Sequence, residues 1–321
     1  MIVVNNIIRS VKRASMSSNI KKFNILTMCQ NNEKYISLLA KTQHNFYTLV
    51  EEPWNNLIET KPPNVQSINL LFDDLDYIIC HNRAEQYDRA QSLSKQLHVP
   101  IILIDMCSAT LIRPQHLLEG LQVKNIELLN KQPALRVCNS EYIQKSWEAT
   151  NSIIIPIGID TNKFQPTQTE HKTCIAIDNN TIEQLGAIIS SQFENQYEIV
   201  PTDHNNLNEI ALNKSRYFIN TNKTITVKTL EAMAAGAVAI CLQNPDTEHF
   251  IENFETGILI KQISDLSSIV KSLETDKASI RIKISKAARQ KIINEHPIEQ
   301  FISKWNQAFS TIQSVFYTPE I

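Results

Sequence analysis

The chain has 321 residues, 42% of them hydrophobic and 20% charged, with 31 Lys and Arg against 33 Asp and Glu for a net charge of −2. This is an ordinary soluble globular composition, long enough for two α/β domains with separate cores, and it excludes a largely disordered chain. Only 5 residues are Gly where average usage of about 7% would give roughly 22, which excludes the glycine-rich phosphate loops of fingerprint-bearing dehydrogenases and P-loop enzymes.

In chain order, residues 1–22 carry Arg9, Lys12, Arg13, Lys21 and Lys22 with no acid. A targeting peptide has that composition too, but they read rather as a basic surface arm able to meet an anionic surface, since their apolar part is too short for a signal sequence. Phe23 to Cys29 is a first buried strand, Asn32 to Gln43 a helix with Tyr35, Leu38 and Leu39 on one stripe, and Asn45 to Val50 a second strand. Strand, helix, strand in that order predicts parallel pairing with a right-handed crossover. Phe72-Asp73-Asp74-Leu75-Asp76 contains Asp-x-Asp, whose oxygens would suit Mg²⁺ or Mn²⁺. It precedes the next strand, Tyr77 to Cys80, at the amino end, which is the wrong end for a ligand of a parallel sheet, and no metal is expected. A helix follows from about Ala84 to Leu97, then strands from Pro100 to Met106 and from Leu135 to Cys138. Ligands of open parallel sheets bind beyond the carboxyl ends of strands, which places Gln30 to Glu33, His81, Arg83 and Ser140-Glu141 on the functional edge. His81 is the candidate catalytic residue there, although a lone His at a strand end is more often structural; Arg83, whose guanidinium keeps its charge, is the candidate for an anion.

Ser152 to Ile159 is apolar and Asp160 to Pro166 polar, which reads as a domain crossing. A second set of strands follows at Thr173–Ile177, Glu198–Pro201, Tyr217–Asn220, Ala237–Leu242 and Gly257–Ile260. Between Asn220 and Thr224 the composition is that of a turn, and from Thr226 the period becomes helical, with Val227, Leu230, Met233 and Ala234 on one stripe and Gly236 where the helix stops. A polar turn opening a helix offers unpaired N–H groups and partial positive charge to phosphate, with Asn222, Thr224, Thr226 and Val227 as the expected contacts. Glu231, about one and a half turns further on, would accept hydrogen bonds from the ribose of the same nucleotide. The plainer alternative is a polar turn in an ordinary strand-turn-helix unit, with a solvated Glu. Near the end, Phe301, Trp305, Phe309 and Ile312 share one helix face, as core packing does. The 6 cysteines each lie in or at the end of apolar runs without C-x-x-C spacing, as free thiols in a reducing, cytoplasmic setting do. No apolar run approaches the ~18–20 residues of a membrane span.

Leu230-Glu231-Ala232-Met233-Ala234-Ala235-Gly236, followed by Ile251-Glu252-Asn253 and Glu255-Thr256-Gly257-Ile258-Leu259, resembles the donor-site signature of retaining glycosyltransferases of the GT-B fold. In that family the second Glu of a Glu-x7-Glu pair binds the ribose of a nucleotide sugar, and Glu231 matches it; the first falls on Lys223. The family's Arg and Lys from the first strand-helix junction of the second domain are also missing from Ile177 to Glu183. The charge on the diphosphate is then left to Lys223 or Arg83. Gly158-Ile159-Asp160 matches the family at the crossing, which adds Gly158 and Asp160 to the implied donor-binding residues. Glu33-Lys34-Tyr35, Thr42 to Tyr47, Pro53-Trp54-Asn55, His81 to Asp88, Ser140-Glu141-Tyr142 and Trp147 resemble a subgroup frequently encoded by bacteriophages.

The resemblance implies an α/β fold of two Rossmann-like domains, with the donor site in the cleft and a C-terminal helix returning to the first domain. The expected divisions are a basic arm over 1–22, an acceptor domain over 23–158, a linker over 159–171, a nucleotide-sugar domain over 172–296 and a returning helix over 297–321. The activity implied is transfer of a sugar from a nucleotide-sugar donor to an acceptor hydroxyl, with retention and without a metal. The acceptor would be a hydroxylated base in DNA or a surface glycan, and the setting the host cytoplasm if a phage encodes the chain. A catalytically weak nucleotide- or glycan-binding accessory subunit is the alternative, and the oligomeric state is left open.

Overall fold

The computed structural model describes residues 22–28, 33–51, 54–56, 59–69, 71, 74–81, 84–109, 133–166, 174–177, 193, 197–202, 205–275 and 277–316. Arg83, residues 178–183 and, Lys22 aside, residues 1–22 lie outside them.

Seven parallel strands form the first sheet: β1 (Asn24–Met28), β2 (Asn45–Leu49), β3 (Val65–Ile68), β4 (Tyr77–His81), β5 (Ile101–Asp105), β6 (Leu135–Cys138) and β7 (Ser152–Ile154). Their order is β3-β2-β1-β4-β5-β6-β7. β4 and β5 are buried at every residue, which is why they read as unbroken apolar runs: helices or other chain cover both faces. Period-2 alternation assigns those faces. Ile25, Tyr77, Ile79, Ile102 and Ile104 point to one side, while Leu26, Ile78, Cys80 and Leu103 point to the other, against Tyr87 and Ala90 of helix α2 (Ala84–Leu97). Helix α1 (Glu33–Ala40) follows β1 and lies on the first side, through Tyr35, Ile36 and Leu39, while the short helix α3 (Glu141–Ser146) follows β6. The sheet changes direction between β1 and β4.

The second sheet has five parallel strands, β8 (Cys174–Ile177), β9 (Glu198–Pro201), β10 (Ser215–Asn220), β11 (Val238–Leu242) and β12 (Ile258–Ile260), in the order β12-β11-β10-β8-β9. Its direction changes between β8 and β10, and a crevice opens at such a point beyond the strand ends. Helices α4 (Asn205–Lys214), α5 (Val227–Ala234), α6 (Pro245–Phe250), α7 (Leu266–Glu274) and α8 (Ala278–Glu295) accompany it.

The last helix, α9 (Ile298–Phe316), returns to the first sheet. Its stripe of Phe301, Trp305, Phe309 and Ile312 is buried. Tyr77 donates its hydroxyl to Phe309 O at 2.8 Å and stacks on the Phe309 ring at 5.6 Å. The crossings between domains meet where Ile159 N donates to His296 O at 2.8 Å. Gly158 lies there, and a Cβ on it would come within 2.5 Å of Phe301 Cβ.

Asp74 and Asp76 of the Asp-x-Asp run hold the start of β1: Asn24 donates its N–H to Asp76 Oδ2 at 2.9 Å and its side-chain amide to Asp74 O at 3.0 Å. Among the described residues no group of three His, Cys, Asp or Glu could hold a metal, and no helix is long and apolar enough to cross a membrane. Cys80, Cys107, Cys138 and Cys241 are in the thiol form.

Candidate functional site

β10 ends in Asn220, a fully buried residue that shapes the turn after it. Its amide donates to Thr224 O at 2.9 Å and to Thr229 Oγ1 at 3.2 Å, while its Oδ1 accepts from Asn222 N at 2.9 Å. Thr226, with extended φ and ψ of −93° and 163°, caps α5 by accepting from Thr229 N at 3.2 Å. Asn222, Thr224, Thr226 and Val227 thereby stand together around one helix start at the second sheet's change of direction, with no acid in the first turn. Lys223 is exposed at the tip.

Glu231 lies further along α5 and is only 3% exposed. Its Oε2 is 2.6 Å from Lys34 Nζ, which reaches across from the start of α1 in the first domain. Glu59 Oε2 is 3.8 Å from the same ammonium, and the ring centre of Phe164 is 5.9 Å away. Burial raises the pKa of Glu231, and the Lys34 charge pulls it back. Lys34 was missed by the reading of strand ends, which stopped one residue short of it at Glu33.

His81 and Asp160, two further expected residues, have partners of their own. His81 is the last residue of β4, buried, with its ring edge-on to Tyr35 at 5.6 Å and its backbone N–H donating to Gln86 Oε1 at 3.2 Å. Asp160 turns its Oδ1 to the N–H groups of Asn162 and Lys163, at 3.2 and 3.1 Å, and its Oδ2 lies 3.6 Å from Lys41.

Past the turn, the cleft widens into a cavity of about 450 Å³ lined by Thr224, Ile225 and Leu230 of the second domain and Asn139, Ser140 and Tyr142 of the first. Asp246, on α6, closes one side. It accepts from Ser108 N at 3.1 Å, from the Ser108 hydroxyl and from Tyr142 Oη at 3.2 Å, and Tyr142 stacks on His249 at 4.3 Å. The site is therefore a cleft between two strand edges: helix-start N–H groups in the middle, an ion pair at one end and a mixed polar and apolar chamber at the other. That layout suits an extended anion bearing a polyhydroxyl group on each side.

Residues 188–307 match the family model described as glycosyl transferase-like. No curated protein sequence matches the chain significantly. Solved structures do. HepE from Anabaena, in complex with UDP-glucose, superposes with a TM-score of 0.67 at 14% identity, over 90% of this chain and 99% of its own. Sucrose-phosphate synthase from Thermosynechococcus elongatus gives 0.67 at 11% identity, over 92% and 100%. A glycosyltransferase from Rickettsia africae gives 0.57 at 12%, over 91% and 99%. At these identities the likeness is one of fold: two Rossmann-like domains in the GT-B arrangement.

Proposed function

We propose that this chain, a glycosyltransferase on a GT-B fold, moves a sugar from a nucleotide-sugar donor to an acceptor hydroxyl with retention at the anomeric carbon. The observation that carries the reading is the position of Glu231 on α5, buried in the cleft just past a helix start at the second sheet's change of direction. Glu231 takes the ribose hydroxyls, and Asn222, Thr224, Thr226 and Val227 present amides and hydroxyls to the diphosphate. The sugar then extends past the turn toward the chamber, where the acceptor enters. The bond from the anomeric carbon to the diphosphate oxygen breaks, the acceptor oxygen takes that carbon, and its proton leaves with the diphosphate. Positioning and stabilisation of the departing charge are the protein's contributions. HepE, whose structure is known with UDP-glucose, supports a uridine nucleotide as the first to try.

The acceptor is a hydroxylated base in DNA or a surface glycan, as the likeness to the phage-encoded subgroup implies. Incubation with a panel of nucleotide sugars and both acceptors, followed by mass spectrometry, tests this: one acceptor should gain the mass of one sugar as nucleoside diphosphate appears. If DNA is that acceptor, binding should weaken steeply with salt, and removing residues 1–22 should flatten the slope. Lys223 in place of the usual Glu favours one second reading, a nucleotide-binding accessory subunit. Tight nucleotide binding with no transfer to any acceptor would decide for it.

A further inference from the structure

We propose that Lys34 is the cation that takes the donor's diphosphate from across the cleft, moving from Glu231 to the phosphates as the nucleotide sugar binds; this rests on the donor-site reading above. A leaving diphosphate needs positive charge that water does not screen away. The sequence from 178 to 183, directly after β8, contains no Lys or Arg. Lys223 is exposed at the tip of its turn, where solvent and salt screen its charge.

Lys34 is placed differently. α1 starts where β1 leaves the first sheet, beside that sheet's own change of direction. The Lys34 side chain is only 13% exposed and already crosses to the second domain, 2.6 Å from Glu231 and 3.8 Å from Glu59. One ammonium thus faces two carboxylates, and Lys163 is a further cation acting on Glu231. Ribose hydroxyls donating to Glu231 would take over part of the stabilisation that Lys34 now gives it. The ammonium, on a flexible four-carbon stem with three donors, can then turn. The phosphate end of the donor lies back along α5, from Glu231 toward Thr226, a helix rise of about 7.5 Å. The swing is short, and it carries a first-domain charge onto a ligand held by the second.

The test compares nucleoside diphosphates with their nucleosides. Calorimetry on the full chain with UDP and uridine, and with the ADP and GDP pairs, should show that Lys34→Gln weakens the diphosphate about tenfold or more and the nucleoside by about twofold at most. Lys34→Arg should hold the diphosphate close to wild type. In the unaltered protein, UDP should slow reductive methylation of Lys34 more than uridine does, which keeps the test open if Lys34→Gln fails to fold. Equal loss of diphosphate and nucleoside in Lys34→Gln would make Lys34 only a partner of Glu231, and unchanged diphosphate affinity or equal protection would equally overturn the proposal. A wild-type chain that binds none of the three pairs would instead remove the donor-site reading, and this one with it.

Discussion

Glu231 lies buried between two domains, where an isolated carboxylate would sooner take a proton than keep its charge. Lys34 at 2.6 Å offsets that cost, so the carboxylate and its counter-ion come from opposite halves of the chain. Glu231→Ala should weaken nucleotide binding by about 1–3 kcal/mol, the cost of stranding hydroxyls in a closed site, which titration calorimetry measures directly. The pH dependence has a definite sign. The folded carboxyl has a raised pKa, so acidification protonates it before an ordinary Glu, and nucleotide affinity should begin to fall at a higher pH than for an ordinary Glu. Lys34→Gln removes the opposing charge and should move that onset higher still; a dissociation constant followed from pH 8 to 5 in both proteins checks it. A second variant, Lys223→Glu, restores the residue usual in the family, yet should lower turnover if a cation at this turn serves the diphosphate; equal or higher turnover would count against that role. The carboxylate and the turn were legible because they are contiguous: Asn222, Thr224, Thr226, Val227 and Glu231 stand within ten residues of one another. Lys34 and the Ser108 and Tyr142 bonds to Asp246 were not, because the facing of two domains brings them together and no spacing along the chain encodes that.

α5 shows how an element holds those residues in place. Thr226 caps its start, Leu230, Ala232 and Met233 bury its core side, and Gly236 ends it at φ +78°, where a Cβ would also stand 3.0 Å from Pro166 Cγ. Thr226→Ala loses the bond to Thr229 N and should cost about 1 kcal/mol, while Thr226→Ser keeps most of it. Reduced amide-exchange protection in α5 would register that cost, and unchanged protection would mean the cap contributes nothing. Elements with strong internal signals were readable in advance: the apolar runs of β1, β4 and β5, the turn before α5, the stripe on α9. β3 was not foreseen, since only Val65 of its four residues is buried and an edge strand needs no apolar run. α8 was missed for a related reason. Ile284, Ala288 and Ile292 are its buried residues in eighteen, too thin a stripe to stand out from its charged neighbours. α6 carried a signal that went unread, Asn244 before Pro245, a capping box with Pro at the helix start.

At the scale of the molecule, one apolar cluster runs from the first sheet through Ile155, Ile157, Ile159 and Phe164 to α5 and α8, so the crossing is packed rather than loose. α9 completes it by returning to the first domain, and His44 is where that return is sensitive to acid. His44 Nδ1 accepts from Phe23 N at 3.3 Å and its Nε2 faces Asn306 Oδ1 at 3.0 Å, so the neutral ring with its proton on Nε2 satisfies both neighbours. A second proton, on Nδ1, would point at a donor. The ring is also packed against Phe23 and Phe309, at 4.9 and 5.1 Å. Burial, helped by nearby Lys22 and opposed by the Asn306 bond, lowers its pKa from 6.5 to about 4. The unfolded chain therefore takes up a proton between those values that the folded chain refuses, and stability is present above pH 6.5 and lost as pH falls toward 4. With allowance for solvent screening, the loss is on the order of 2 kcal/mol. His296, buried with Nδ1 2.8 Å from Ile157 O and its pKa likewise lowered, acts in the same direction at the entry to α9. A chain of two domains need not unfold in one step, so the measurement belongs to the helix itself. Amide exchange in α9, corrected for intrinsic rate, should lose protection between pH 7 and 4.5, and His44→Gln should reduce that loss by the His44 share and leave the His296 share. If wild type and variant lose protection equally over that range, His44 is not the group through which acid loosens the returning helix.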